Sequence, residues 1–239
     1  MDAGLLSVVV PAYREGPTIY AALGLLLDSL RALGRPFEVI VVSDGSDDDT
    51  VAEALRHGPP VRVCQYDEQR GKGHAVRFGI NEAQGEFIAF IDADMELHPD
   101  AIAGLLARVE AGADAAIASK RHPESVVDYP LFRRVQSGVY QWVIRRLFSL
   151  HLTDTQAGLK VFRASAVKRA AAPLESDGFA FDLELLVALQ HQGSKIVEGP
   201  VRLNYQFATT TTLRAAADVL VDTARIWRRH HRRRRRAEL

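Results

Sequence analysis

The sequence predicts an α/β fold with a doubly wound, mostly parallel sheet, and three observations support this. Apolar runs rich in β-branched residues recur through the first half, segments with helical spacing separate them, and several of these segments end at a glycine. Strands of a parallel sheet carry such runs because helices cover both faces. Alternating strands and helices therefore indicate a parallel sheet between two helical layers.

The elements follow in order along the chain. Strands are predicted at 5–10, 37–42, 61–64, 87–91 and 115–118, and helices at 18–33, 50–56, 74–83 and 99–110. Beyond residue 120 we expect a helix over 129–150, a glycine-containing segment at 157–162, a helix over 181–192, a strand near 196–203 and a last helix from about residue 213. The main domain is expected over 1–211, with a boundary near 120–128 between halves 1–119 and 120–211. A C-terminal helix and basic tail follow over 212–239.

Charge and cysteine content bear on the location of the protein. The net charge is zero, yet residues 228–239 hold seven arginines and one glutamate, so the body is acidic. Such a tail is most often a solvated end, although near an anionic membrane each basic residue adds about 1 kcal/mol of attraction. No nucleic-acid recognition module precedes it, so we expect no nucleic-acid partner. One cysteine, no leader-like N-terminus and no run of about 18 apolar residues favour a cytoplasmic protein that does not span a membrane.

Polar residues follow three of the predicted strands. They occupy 11–15 after the first strand, 43–50 after the second and 92–94 after the fourth. Ligands of doubly wound sheets bind outside the carboxyl ends of the strands. We therefore expect these three loops to share one rim, with Asp44 contacting a ribose or a base.

The Asp92-Ala93-Asp94 segment favours a divalent metal. Period-two alternation at a strand end places both carboxylates on one side, where they repel unless a cation lies beside them. Mg²⁺ or Mn²⁺ prefers oxygen ligands from one or two carboxylates and substrate phosphates, and Glu96 is a further candidate ligand. The alternative is an ordinary turn in which an aspartate caps the next helix.

Arg70-Gly71-Lys72-Gly73 begins a predicted helix. Free N–H groups and the helix dipole favour a phosphate there, although the glycine spacing is not that of a P-loop.

These segments together resemble the family 2 glycosyltransferases, which have the fold known as GT-A. The resemblance covers about residues 5–210 and rests on VVPAYRE, SDGSDDDT, RGKGHAV and DAD in this order. Ser43-Asp44 departs from the two consecutive aspartates of many members. The resemblance implies a nucleotide-binding first half and a mixed acceptor half. It implies a nucleotide-sugar site at Pro11, Ala12, Tyr13, Glu15, Asp44, Lys72, Asp92, Ala93 and Asp94, metal ligands Asp92, Asp94 and Glu96, and catalytic roles for Asp92, Asp94, Lys72 and Asp182.

Two motifs of the second half, DTQAGLKVF at 154–162 and GFAFDLELL at 178–186, are similar to those of polyprenyl-phosphate sugar synthases, the dolichyl-phosphate glucose type more than the mannose type. The likeness implies inverting transfer of a hexose from UDP-glucose or GDP-mannose to a polyprenyl phosphate lipid. It implies that Lys120, Arg121, Arg133 and Ser137 grip the acceptor phosphate. On this interpretation the donor sugar and the loop beside the metal are organised by Asp154, Gln156, Lys160, Asp182 and Glu184.

Other functions stay open from the sequence. A sugar or other hydroxyl acceptor requires a carboxylate base, for which Asp182, Glu184 and Asp154 are the candidates. A sugar nucleotidyltransferase uses similar acidic strand ends, and a binding module with a decayed site is opposed by the intact Asp92 and Asp94.

An apolar stripe interleaved with arginines between residues 131 and 148 has the composition of a helix at a membrane interface, although the same stripe can pack on the sheet. We expect peripheral contact at the cytoplasmic membrane face.

Overall fold

The computed structural model describes residues 3–127, 144–178, 180–203, 223 and 226–228. Its strands are β1 (Leu6–Ala12), β2 (Phe37–Asp44), β3 (Val61–Tyr66), β4 (Phe87–Ile91), β5 (Ala115–Ala118), β6 (Leu159–Arg163) and β7 (Ile196–Gly199). Its helices are α1 (Ile19–Arg31), α2 (Thr50–Leu55), α3 (Lys72–Glu82), α4 (Ala101–Glu110), α5 (Ala164–Ala171) and α6 (Phe181–His191). A further helical turn covers residues 144–148.

The seven strands form one sheet in the order β3-β2-β1-β4-β6-β5-β7. Strand β6 runs antiparallel to both of its neighbours, and the other paired strands are parallel. The predicted doubly wound, mostly parallel sheet of the GT-A type is therefore confirmed, with one reversed strand inside it. Because the chain order reverses between β1 and β4, a crevice opens at the carboxyl ends of these two strands.

Successive side chains of the central strands point alternately into two apolar cores, one on each face of the sheet. Val8 and Val10 of β1 lie in the core under α1 and α4, while Val9 lies in the core under α3, α5 and α6. All seven residues of β1 are buried, which explains the uninterrupted apolar run that identified it. The two cores fix the sheet rigidly from both sides, so the loops at its carboxyl edge have a firm base.

The second half departs from the predicted elements. Residues 159–163 form β6, where only a glycine-containing segment was expected, and α5 was not predicted. The predicted strand at 196–203 is shortened to β7. Because β6 pairs with β4 and β5, the sheet contains strands from both predicted halves. The domain boundaries themselves stay predictions.

The predicted helix over 129–150 lies partly outside the described residues, which resume at residue 144. In the described part, Ile144, Phe148 and Leu150 are buried in the core beneath α3, α5 and α6, while Arg145 and Arg146 are exposed. The stripe therefore packs on the protein over these residues, and the interface-helix interpretation is wrong there. Among the described helices, none is long and apolar enough to cross a membrane.

Close packing of α3 on β1 gives a test of the fold. A Cβ added at Gly79 would overlap the Val9 side chain, whereas one at the exposed Gly104 of α4 would meet the mobile end of Arg108 no closer than 3.5 Å. We expect Gly79→Ala to lower the free energy of unfolding by about 1–3 kcal/mol through overpacking. Gly104→Ala should raise it by up to about 1 kcal/mol through helix propensity. Urea denaturation measures both, and equal effects would contradict this packing.

Candidate active site

The crevice between β1 and β4 gathers the predicted carboxylates. Strand β4 ends at Ile91, and a tight turn follows in which the Met95 N–H donates to the Asp92 carbonyl at 3.0 Å. Met95 is buried with a φ of 44°, a conformation that is uncommon for a residue with a side chain. Asp92 and Asp94 were predicted to lie on one side of a strand, but β4 ends before both of them. The turn after β4 brings them together instead.

Both aspartates line one pocket with residues from the second half of the chain. The Asp94 carboxylate accepts the Glu96 N–H at 3.0 Å, which fixes the end of the turn. The lining residues are Ile91, Asp92, Asp94, Glu96, Leu97, Lys120, Gln156 and Gly158. The predicted metal ligands and one predicted acceptor cation thus share a pocket.

The reversed strand explains how the second half reaches this pocket. Because β6 is antiparallel to β4, the amino end of β6 lies at the carboxyl end of β4, and the Asp92 N–H donates to the Gly158 carbonyl at 3.0 Å. A Cβ at Gly158 would overlap the Asp92 carboxylate. Position 158 is therefore a glycine for a steric reason, which the sequence alone did not reveal.

Two lysines and two aspartates alternate behind the pocket. Lys72 Nζ lies 2.6 Å from Asp92 Oδ1 and 3.6 Å from Asp182 Oδ2. Lys160 Nζ lies 2.5 Å from Asp182 Oδ1 and donates to the Ala157 carbonyl at 2.6 Å. Lys160 is 0% exposed and Asp182 is 3% exposed. We call Lys160, Asp182, Lys72 and Asp92 the ion chain.

Charge pairing keeps the interior of the ion chain ionised. Burial by itself raises the pKa of Asp182, but the charges of Lys160 and Lys72 outweigh burial and hold it below its ordinary value. Burial likewise opposes the charge of Lys72, yet the carboxylates of Asp92 and Asp182 raise its pKa above the ordinary value. Asp182 is therefore a carboxylate at neutral pH and a poor proton acceptor.

The start of α3 differs from the predicted phosphate site. The Asp177 carbonyl accepts the N–H groups of Gly73 at 2.7 Å and His74 at 3.2 Å. The Asp44 carboxylate accepts the N–H groups of Arg70 and Gly71, both at 2.8 Å. These four N–H groups are satisfied within the protein, so the expectation of free N–H groups for a phosphate is wrong in this structure.

The Asp44 carboxylate has a structural role, because its hydrogen bonds are made to the protein itself. It also accepts the Tyr66 hydroxyl at 2.7 Å, and the residue is 3% exposed. The Gly45 backbone packs so closely on Glu68 and Gln69 that a Cβ there would overlap them. Asp44 thus holds the segment that leads into α3, and its contact with a ribose or a base stays a prediction.

The acidic loop after β2 also supports the loop after β1. Asp48 accepts the Gly16 N–H at 3.0 Å, and the Thr50 hydroxyl accepts the Glu15 N–H at 2.8 Å. Burial raises the pKa of Glu15, and the negative charges of Asp94 and Asp48 add to this effect against the hydrogen bond from Thr18. Glu15 is therefore coupled electrostatically to the pocket.

The remaining nucleotide-site candidates lie along the same edge. Pro11 and Ala12 are buried at the end of β1, Tyr13 follows partly exposed, and Ala93 is buried in the turn after β4. Their contacts with a nucleotide stay predictions.

The carboxylate oxygens of Asp92 and Asp94 fit a divalent cation whose remaining ligands are substrate oxygens. Asp92 Oδ1 is buried and accepts no well-formed hydrogen bond among the described residues, although it is ion-paired with Lys72. Within the same residues no group of three or more acidic, histidine or cysteine side chains is placed to hold a metal ion, so Asp92, Asp94 and Glu96 do not form a three-ligand site by themselves. Two carboxylates with Glu96 nearby match Mg²⁺ or Mn²⁺, which takes its other ligands from phosphate and water.

The predicted acceptor cations are only partly described. Lys120 Nζ lies 3.2 Å from Glu96 Oε1, and the Lys120 N–H donates to Asp154 at 3.2 Å. Arg121 is exposed beside it. Arg133 and Ser137 lie outside the described residues. Lys120 is therefore the acceptor candidate that the structure brings to the pocket.

The three candidate bases all form ion pairs or hydrogen bonds within the protein. Asp182 belongs to the ion chain, and buried Glu184 accepts the Ser176 N–H at 2.9 Å. Asp154 accepts the backbone N–H groups of Gln156 and Lys120, both at 3.2 Å.

Solved structures with a similar fold include a mannosyl-3-phosphoglycerate synthase and a glucosyl-3-phosphoglycerate synthase. Mannosyl-3-phosphoglycerate synthase from Rubrobacter xylanophilus matches with a TM-score of 0.73 at 19% identity, over 98% of this chain and 75% of that one. Glucosyl-3-phosphoglycerate synthase from Mycobacterium tuberculosis, solved with Mn²⁺, UDP and phosphoglyceric acid, matches with a TM-score of 0.67 at 21% identity, over 95% and 75%. At these identities the likeness concerns the fold.

The similar sequences include named glycosyltransferases. Glycosyltransferase AglD of Haloferax volcanii is 32% identical over 202 residues, which are 82% of this chain and 32% of that protein. The dolichyl-phosphate beta-glucosyltransferase of Drosophila melanogaster is 34% identical over 215 residues, 82% of this chain and 66% of that enzyme. The chain thus spans less than two thirds of these relatives. The model of glycosyl transferase family 2 matches residues 7–171, and the chain belongs to that family.

Proposed function

We propose that the protein transfers a hexose, with glucose as the first candidate, from a nucleotide diphosphate sugar to a polyprenyl phosphate, with inversion at the anomeric carbon. The observation that carries the proposal is the shared pocket of Asp92, Asp94, Glu96 and Lys120 at the switch point of the sheet. Carboxylates for a metal and a cation for an incoming phosphate are needed within one transition state. The names of the similar fly, human and yeast enzymes support the choice of acceptor and sugar.

The state of the candidate bases favours a phosphate acceptor. A hydroxyl must lose a proton on attack, so it needs a basic carboxylate within reach. Asp182 is buried between two lysines, and Glu184 and Asp154 are bonded to backbone N–H groups. A phosphate monoester is already ionised at neutral pH, so this arrangement suffices for it.

The protein side chains have distinct tasks in the proposed reaction. Asp92 and Asp94 hold the metal, which when bound neutralises charge on the leaving diphosphate. Lys120 draws the acceptor phosphate to the opposite face of the sugar, together with Arg121 and the undescribed Arg133 and Ser137. Displacement forms the bond from the acceptor phosphate oxygen to the anomeric carbon and breaks the bond to the diphosphate. The products are the glycosyl phosphate lipid and an intact nucleoside diphosphate.

The lipid acceptor implies contact with a membrane. In this proposal residues 1–211 form the catalytic domain, and the arginines of the 212–239 tail approach anionic lipid at the cytoplasmic face.

Label transfer tests the reaction. Purified protein with Mn²⁺ or Mg²⁺ is incubated with labelled UDP-glucose or GDP-mannose and a polyprenyl phosphate, and label is followed into the organic extract. We expect metal-dependent transfer of glucose, release of the nucleoside diphosphate and an inverted anomeric centre. A retained anomer contradicts the displacement mechanism. Transfer to 3-phosphoglycerate or a free sugar, with none to lipid, replaces the acceptor.

A further inference from the structure

The ion chain places an unusual pair of charges inside the protein. Lys160 lies in β6 with its ammonium 4.9 Å from the centre of the Phe90 ring, between the sheet and α6. Burying an ammonium and a carboxylate costs several kcal/mol per ion before their attraction repays it. Apolar residues of similar size fill such positions as stably, so a pair at this position requires another explanation.

The order of charges connects this pair to the pocket. Asp182 stands between two ammonium groups, since one oxygen is 2.5 Å from Lys160 and the other is 3.6 Å from Lys72. Lys72 in turn lies between Asp182 and Asp92. A change that strengthens or weakens the ion pair between Asp182 and Lys72 must therefore also change the ion pair between Lys72 and Asp92.

The backbone fixes both ends of this arrangement. Lys72 is the first residue of α3, whose start is held by the Asp177 carbonyl, and Asp182 lies in the first turn of α6. The Ala157 carbonyl holds Lys160 one residue before Gly158, which itself accepts the Asp92 N–H. The lysine and aspartate positions are thus set by elements that meet only in the folded protein.

We propose that Asp182 and Lys160 are positioning residues, which set how strongly Lys72 holds Asp92 and thereby the affinity of the Asp92 and Asp94 pair for a divalent cation. This inference rests on the metal of the proposed function. It gives Asp182 a task other than proton abstraction. It requires no movement of the chain, because a unit change of charge behind Lys72 acts through the ion pairs already formed.

The proposal predicts opposite effects for the two members of the pair. Asp182→Asn leaves Asp92 as the remaining carboxylate of the ion chain beside Lys72 and removes one negative charge. Mn²⁺ affinity should therefore fall about tenfold, as for other residues behind metal ligands. Lys160→Met leaves Asp182 wholly to Lys72 and frees Asp92, so Mn²⁺ should bind more tightly, by about two- to fivefold at this greater distance. The double variant restores the charge balance and should return within about twofold of wild type.

Mn²⁺ titration of the metal-free full chain, followed by the electron paramagnetic resonance signal of free Mn²⁺, tests these effects without any turnover. Lys168→Met is the matched control, because this lysine also donates to a carbonyl, that of Ala83, at the far end of α3 from Lys72. Its Mn²⁺ affinity should equal that of wild type. Circular dichroism and thermal unfolding establish that each variant is folded. If one single variant does not fold, the other carries the test, because each single variant has its own expected direction of shift in Mn²⁺ affinity.

The outcomes separate this inference from the proposed function. Opposite shifts in the single variants with recovery in the double variant support the positioning role. Equal affinities in all variants, with Mn²⁺ bound to wild type, overturn the positioning role and leave the transferase proposal intact. Loss of transfer in Asp182→Asn at unchanged Mn²⁺ affinity also overturns it and indicates that Asp182 acts on a substrate and not through the metal. A wild-type chain that binds no Mn²⁺ even in the presence of UDP overturns the metal of the proposed function as well.

Discussion

Asp94→Asn is expected to lower sugar transfer about a thousandfold while the fold is preserved. The substitution removes the negative charge that would bind the metal, and charge stabilisation of a leaving diphosphate is worth several kcal/mol. The asparagine oxygen can still accept the Glu96 N–H, so the turn after β4 keeps its hydrogen bond. The loss should therefore appear in kcat with little change in the free energy of unfolding.

Asp114→Asn is the matched control for this substitution. Asp114 also accepts a backbone N–H, that of Lys195 at 2.8 Å, but it precedes β5 at the opposite edge of the sheet. Initial rates of label transfer at saturating donor and metal compare the two variants. A kcat within tenfold of wild type for Asp94→Asn would contradict the assignment of Asp94 to the metal.

Most of the fold could be predicted because its determinants are local. Each central strand is one apolar run buried on both faces, and each helix between them carries one apolar stripe, so neither depends on distant residues. Strand β6 was missed because its antiparallel place between β4 and β5 is set by long-range pairing. No local signal distinguishes a reversed strand from a glycine-containing loop.

The site could be predicted as a set of residues but less well as a set of contacts. Asp92, Asp94 and Glu96 were grouped from strand ends, and the structure brings Lys120 to them. The satisfied start of α3 was not predictable, because its acceptor is the Asp177 carbonyl, about a hundred residues further along the chain. The helix-terminus rule describes what an isolated terminus offers, and here the protein itself supplies the partner.

The same limit applies to the contacts of Lys72. From the motif it was expected to contact phosphates, since a lysine beside glycines at a helix start is typical of such contacts. The structure shows it between Asp92 and Asp182, which come from the end of β4 and the start of α6. These two ion pairs form only in the folded protein and could not be predicted from sequence spacing, and the contact of Lys72 with a phosphate stays a prediction.

Lys120→Met is expected to lower transfer to the polyprenyl phosphate about a hundredfold while hydrolysis of the donor continues. An ammonium that meets developing or incoming negative charge contributes a factor of about 10²–10³. Methionine keeps the length and apolar part of the side chain and removes the charge. The lost ion pair with Glu96 is partly exposed, so the protein should lose less than about 1 kcal/mol of stability.

Lys195→Met is the control, because Lys195 is exposed before β7 at the opposite edge of the sheet. The test compares the rate of transfer to the polyprenyl phosphate with the rate of donor hydrolysis, because the acceptor phosphate takes part only in the transfer. Selective loss of lipid transfer, restored in part by Lys120→Arg, places the positive charge of residue 120 on the acceptor side. An equal loss of both rates would instead assign Lys120 to the donor diphosphate, whose proposed metal ligands line the same pocket.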